Sequence, residues 1–492
     1  MTSPNAHPPC GPVRGLLAGN VCAWLGIPYA RPPIGDLRFR APEPVEPWHD
    51  VRDAREFGEA SLQRHAGPLG KPFLGSSVGE NCLSLNVWSP AADGAKRPVM
   101  VWVHGGAFIL GSARIYDGAH LAEAGDIVVV AMNYRMGALG FVNFRGVTGD
   151  ARIASNPGLR DVVQALKWVR ENIAAFGGDP DRVTLAGESA GSIMVSLLMA
   201  SDEASPYFHG AIMQSGTYDL VHSHEKSLEV AQSYLDVLRI PTGPDTLGQL
   251  QAVDASRLLQ AQETVQKRLP GVVPTAPWFD DDLVPASIEA ARMKRLPSMP
   301  LLCGINRDEA RLFEILPGPD ILPIGRAALL PLLRTHVGEE DAARVLALYP
   351  DSPAGNRQLA TDLEFVMPML QYAEQHASHD PTWLYRFDMP NPMLGGAVHG
   401  LELSYLWNWT GALAMMARGG ALTGEKAALA ARMRRYWIDF VRTGTPGPQW
   451  PAFEMPARKT LLFGTPDRVA ADPDGDRRAV WPALKGMVTD PG

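Results

Sequence analysis

Cysteine is scarce in this chain: Cys10, Cys22, Cys82 and Cys303 are the only four in 492 residues. None falls at metal-ligand spacing, and so few over such a length exclude a zinc-knit or disulfide-framed fold. Cys22 and Cys303 sit in apolar runs, where a thiol is usually a small buried hydrophobe, so reduced thiols are expected. Positive charge is also in short supply. Lys and Arg number 45 against 53 Asp and Glu, a net −8 with no basic stripe, which argues against nucleic acid as a partner. Long apolar runs are missing, and Met1 to Pro12 is polar and Pro-rich without a basic region leading into an apolar one. No membrane span and no signal peptide are therefore expected, a cytoplasmic location is the default, and residues 1–12 read as a flexible lead-in. Gly/Ser linkers, charge blocks and internal repeats are absent as well. With 46% hydrophobic residues, the expected organisation is one domain over 1–492 with long helical insertions, and the expected state is a monomer.

The most informative stretch present is Arg182-Val183-Thr184-Leu185-Ala186 running into Gly187-Glu188-Ser189-Ala190-Gly191. A strand that reverses into a helix within a few residues strains its central residue, and flanking glycines let the neighbouring chains approach. Ser189 is thereby read as a nucleophile, with the N-terminus of a helix from Ala190 to about Ala200 beside it to favour negative charge. The five-residue pattern alone is weak. Gly75-Ser76-Ser77-Val78-Gly79 also fits it, but follows a Pro/Gly-rich loop with no helical period after it, so Ser77 reads as a surface turn.

Around the elbow, a hairpin is expected from Val13–Leu17 and Val21–Leu25, and buried strands from Pro98–Val103 and Ile127–Ala131. Val162, Ala165, Leu166, Val169 and Ile173 recur at helical spacing just before the nucleophile strand. Met299–Gly304 and Trp383–Phe387 read as later strands, and Leu429, Met433, Tyr436, Trp437 and Phe440 mark a long amphipathic helix. Helix then strand with a short link is the grammar of a parallel sheet covered on both faces, so the fold class is α/β. The segments between have no legible placement.

Serine needs a base, and the base an orienting carboxylate, placed in this fold class on loops after later strands. Among the histidines beyond Ser189, His209 lies close behind the nucleophile helix, and His222, His224, His376 and His379 have polar, helical or loop surroundings. His399 follows the Trp383–Phe387 strand in a Gly-rich loop and is the candidate base. Asp308 and Glu309 both begin the loop after Leu301–Gly304, and position does not choose between them. For the oxyanion, Val103-His104-Gly105-Gly106-Ala107-Phe108 follows a strand, and its N–H groups with that of Ala190 would supply up to three donors.

With these residues in place, the chain resembles the type B carboxylesterases of the α/β-hydrolase fold, the group that includes cholinesterases and bacterial para-nitrobenzyl esterases. The likeness runs from about Val13 to Pro451 and rests on Leu25-Gly26-Ile27-Pro28-Tyr29-Ala30, Glu80-Asn81-Cys82-Leu83-Ser84-Leu85-Asn86-Val87, His104-Gly105-Gly106-Ala107-Phe108, Asn133-Tyr134-Arg135, Phe176-Gly177-Gly178-Asp179-Pro180 and the elbow. The resemblance implies a catalytic triad of Ser189, Glu309 and His399 and an oxyanion hole of Gly106, Ala107 and Ala190. It also implies a supporting hydrogen bond from Ser215 to the acid, and a structural role for Glu402. A serine ester hydrolase acting through an acyl-enzyme on short to medium acyl esters follows, with no cofactor and no metal. Amide, carbamate or lipid hydrolysis by the same triad is one alternative, and a non-catalytic cholinesterase-like binding module is another. The chain departs from the family in three ways. No cysteine lies between Cys22 and Cys82, so the bridge common in secreted members is not expected. The loop Ser61–Asn81 lacks the tryptophan that holds quaternary ammonium in cholinesterases. Ala310 stands where a glycine commonly follows the acid. Phe108, Ile109, Leu110 and Tyr405-Leu406-Trp407 line either an apolar pocket or plain core.

Overall fold

The computed structural model describes residues 4–64, 77–218, 221–269, 273–294, 298–315, 322–409 and 411–484. Its frame is a mixed sheet of eleven strands: β1 (Leu16–Ala18), β2 (Val21–Pro28), β3 (Ser84–Ser89), β4 (Arg97–Val103), β5 (Val128–Met132), β6 (Gly178–Glu188), β7 (Gly210–Gln214), β8 (Leu301–Asn306), β9 (Thr382–Phe387), β10 (Lys459–Phe463) and β11 (Arg468–Ala471). In space the order is β11-β10-β9-β8-β7-β6-β4-β5-β3-β2-β1. From β10 across to β5 every pairing is parallel. The flanks, β11 on one side and β3, β2 and β1 on the other, are antiparallel.

Period two along the central strands divides the core between the faces of the sheet. Val99, Val101 and Val103 of β4 join one buried cluster, whereas Met100 and Trp102 join the other. The first cluster is covered by α2 (Pro157–Asn172), α3 (Ala190–Met199) and α4 (Met367–Ala377), and the second by α1 (Ala119–Gly125) and α7 (Gly424–Thr443). Burial on both faces is why these strands read as continuous apolar runs. Short α5 (Leu403–Leu406) and α6 (Gly411–Arg418) precede α7.

Two expectations are corrected at the N-terminus. The hairpin is narrower at its start, pairing Leu16–Ala18 with Val21–Ala23, because Val13–Arg14 is taken by another sheet. That sheet also removes the flexible lead-in: Asn5–Ala6 pairs with Val13–Arg14, which pairs with Arg52–Asp53. Cys10 N–H further donates to Asn172 Oδ1 at 2.9 Å, so from Asn5 onward the segment is tied to the body by hydrogen bonds that local composition did not reveal. The unplaced stretch after β7 folds as helices His224–Leu238, Thr246–Ala252 and Ala255–Arg268, which bury a cluster with Phe39 and Phe144. None of the four cysteines forms a disulfide, and all are buried. Among the described residues no helix is long and apolar enough to cross a membrane.

Candidate active site

Ser189 lies between the end of β6 and the first residue of α3 with φ 54° and ψ −124°, a backbone conformation that costs energy for a side-chain-bearing residue. Close packing holds it there. A Cβ on Gly187 would sit 2.5 Å from the Gly191 carbonyl carbon, and one on Gly191 would sit 2.1 Å from the Val103 carbonyl oxygen. The glycines on either side of the serine are thus demanded by backbone meeting backbone. Ser189 N–H donates to the Gln214 carbonyl at 2.8 Å, which ties the elbow to β7.

Burial separates the two carboxylates that position along the chain left together, in favour of the one the resemblance implies. Glu309 is fully buried and accepts three hydrogen bonds: Ser215 Oγ at 2.6 Å, Asn306 N–H at 2.7 Å and His399 Nδ1 at 2.7 Å. Asp308 instead staples the neighbouring loop, accepting from Ala397 N–H at 2.8 Å while its own N–H donates to the Ala397 carbonyl at 2.9 Å. The structure therefore brings Glu309, Ser215 and His399 together and holds the histidine loop in place through Asp308. His399 packs against a pair of phenyl rings, Phe313 at 5.1 Å and Phe365 at 5.0 Å between centroids, which stack on each other at 6.1 Å. Its Nε2 is buried without a hydrogen-bond partner.

That nitrogen faces the elbow, 3.4 Å from Glu188 Oε1. Burial drives the Glu188 carboxyl up to about 8, against the pull of His399. For His399 burial disfavours the charged ring, but Glu309 and Glu188 outweigh it and raise the imidazole to about 9. Glu402 is also fully enclosed; burial, then the Glu309 charge, lifts it to about 7. It accepts from Gln214 Nε2 at 3.0 Å and from Asn306 Nδ2, and so knits β7, β8 and the segment after His399.

Opposite the elbow, Gly106, Ala107 and Phe108 carry three successive positive φ values of 119°, 51° and 59°. A tight turn of this kind can gather successive N–H groups around an anion. Gly106 and Ala107 N–H donate to no acceptor among the described residues, and Ala190, first in α3, has none within the helix. Tyr134 Oη donating to the His104 carbonyl at 2.8 Å and Gly137 N–H donating to the Phe108 carbonyl at 2.7 Å fix the loop from outside.

Other candidates fall elsewhere. Ser77 is exposed, with no helix after it. His209 approaches Val183 N in the middle of β6, six residues before Ser189, and His376 meets Thr382 Oγ1 at the start of β9. Tyr405, Leu406 and Trp407 are core, and Phe108 packs on Phe141. Leu110 remains 46% exposed beside the loop. Three neighbours of His399 were missed by sequence reasoning. Glu188 stood in view inside the elbow motif, whereas Phe313 and Phe365 come from helical segments that carry no motif.

The carboxylesterase family model matches residues 2–322 and 350–481. The para-nitrobenzyl esterase of Bacillus subtilis is 37% identical over 485 residues, covering 95% of this chain and 96% of the relative. Phenmedipham hydrolase of Pseudarthrobacter oxydans is 32% identical, covering 94% and 96%. Among solved structures, a thermophilic para-nitrobenzyl esterase superposes with a TM-score of 0.89 at 34% identity over 98% of this chain and all of its own. The Geobacillus stearothermophilus carboxylesterase EST55 gives 0.84 at 35% identity, covering 97% of this chain and 100% of that one. On these matches the fold is that of the α/β-hydrolases, and the chain belongs to the carboxylesterase family.

Proposed function

We propose that Ser189 is the nucleophile, His399 its general base and Glu309 the orienting acid of a carboxylic ester hydrolase. The hydroxyl attacks the ester carbonyl, and its proton passes to His399 Nε2. The N–H groups of Gly106, Ala107 and Ala190 receive the oxyanion. Collapse of the tetrahedral intermediate expels the alcohol, which takes the proton from His399, and leaves an acyl-serine. Water then repeats the sequence on the acyl-enzyme and frees the acid. Glu309 keeps Nδ1 protonated, so that Nε2 is the nitrogen with a free lone pair, and Ser215 and Asn306 hold the carboxylate in that orientation.

One observation carries this reading: a buried imidazole engaged at Nδ1 by a fully buried carboxylate, with an unbonded Nε2 turned to the elbow. The phenyl rings of Phe313 and Phe365 against His399 favour uncharged, apolar ester groups, in keeping with short to medium acyl esters. Ser189→Ala is expected to lower kcat on a chromogenic butyrate ester by about 10⁴-fold or more while the thermal unfolding temperature stays close to that of the parent. Retention of more than a few per cent of kcat by a folded variant would overturn the assignment.

A further inference from the structure

Many guanidiniums shielded from solvent in this chain face a carboxylate: Arg38 faces Glu80, Arg135 faces Asp161, and Arg386 faces Asp388 and Asp474. Arg418 and Arg434 do not. Arg418, the last residue of α6, is 5% exposed; its Nη1 donates to the carbonyls of Ser404 and Trp409 at 3.2 and 3.1 Å, and its Nε is buried without a partner. Arg434 of α7 donates from Nε to the Leu406 carbonyl at 3.0 Å and meets His120 Nε2 through Nη1 at 3.0 Å, while its Nη2 is buried without a partner. Both side chains converge on the C-terminal end of α5. Burial disfavours the charge of each, Arg418 adds repulsion at Arg434, and among the described residues no carboxylate acts on either. Lys426 brings a third cation nearby, donating to the Arg418 and Gly419 carbonyls at 2.8 and 2.9 Å.

The end of α5 favours a cation, but a helix terminus offers about half a negative charge against two full positive ones. His120 accepts from Arg434 and adds none; burial, then the Arg434 charge, holds its imidazole below the ordinary range. Charge sequestered without a counter-charge is costly, and planar guanidinium forks with spare N–H groups are the donors that oxyanions bind best. We propose that the junction of α5, α6 and α7 binds a small oxyanion, inorganic phosphate or a short carboxylate, between Arg418 and Arg434. The ligand braces elements that also support the candidate base. α5 follows His399 closely, and Trp437 of α7 donates to Gln214 Oε1 at 3.0 Å in the network that holds Glu402.

Thermal unfolding of the full chain in inorganic phosphate, in sodium butyrate and in chloride at matched ionic strength tests this. A saturable rise of a few degrees in Tm is expected in phosphate, in butyrate or in both, and none in chloride. Phosphate alone assigns the free inorganic ion, and butyrate alone a carboxylate of the kind an ester hydrolase releases. Arg434→Met is expected to lose the rise, and Arg435→Met, on the exposed face of α7, to keep it. Arg418→Met should lose it too; because Arg434 is only partly buried, its variant carries the test if the Arg418 variant does not fold. Absence of a saturable response to both oxyanions, an equal response to chloride, or an undiminished response in Arg434→Met overturns the proposal.

Discussion

His399 has a carboxylate at each ring nitrogen: Glu309 Oε2 lies 2.7 Å from Nδ1 and Glu188 Oε1 lies 3.4 Å from Nε2. The proposed base must be neutral to take the Ser189 proton, so the rising limb of kcat/KM against pH is expected to belong to the Glu188–His399 pair rather than to the imidazole alone. Glu188→Gln removes one of the charges that favour imidazolium. The limb is expected to move to lower pH, as read from the kcat/KM profile of the variant; an unmoved limb, or one displaced upward, would sink this coupling. Ser189 and His399 stood out in the sequence as candidates because each follows a recognisable strand and sits among glycines. Glu309 was not separable from Asp308 by position, since adjacent residues on one loop share every local signal. What separates them is that one side chain is sealed beneath His399 and the other stays near the surface. Glu188 gained its significance only from a histidine far along the chain.

Among the elements, the elbow and the loop after β4 are built on the same constraint, backbone passing where no Cβ fits. A Cβ on Gly106 would sit 1.9 Å from the Leu110 carbonyl oxygen, and Gly106 already holds φ 119°. Gly106→Ala must therefore displace the loop whose N–H groups are the proposed oxyanion donors. Loss of kcat by about 100-fold or more is expected, on the scale of one donor removed, and steady-state kinetics on a chromogenic ester measure it. A wild-type kcat would detach this loop from oxyanion stabilisation. The helix read from Asp161, with Val162 to Ile173 on its apolar face, begins earlier, at Pro157, where a proline at the first helical position costs no hydrogen bond. The helices between β7 and β8 went unplaced for a different reason. Their amphipathic faces pack on one another and on Phe39 and Phe144, and periodicity states that a face is buried without stating against what.

Across the whole molecule, the buried titratable groups set how stability varies with pH. Glu188 and Glu402 rise to about 8 and about 7 from an unfolded value of 4.5, and His399 rises to about 9 from 6.5. Each binds its proton more tightly folded than unfolded, so each contribution is fully present below the unfolded pKa and is lost as pH climbs through the folded one. From about pH 6.5 to 7 all three act together, Glu188 and His399 continue to about 8 and His399 alone to about 9, so Tm is expected to fall across that whole range. A calorimetric pH series measures it; a flat or rising Tm would contradict the burial argument, and Glu402→Gln should flatten the slope. Below pH 6.5 the signs oppose. His104, His222 and His376, each held at about 4 by burial, lose stability as pH falls, while the two carboxylates gain it.

The sequence by itself determined the α/β class, the central strands, the elbow serine and the glycines around it, because strand and helix periods and close backbone approach are local properties written residue by residue. Only the tertiary structure decided which aromatic rings pack on the imidazole, which second carboxylate approaches it, that the N-terminus joins a sheet, and that two arginines end without a counter-charge. Those outcomes depend on which distant segments share a volume from which water is excluded, and burial of that kind exists only once the whole chain has closed around it.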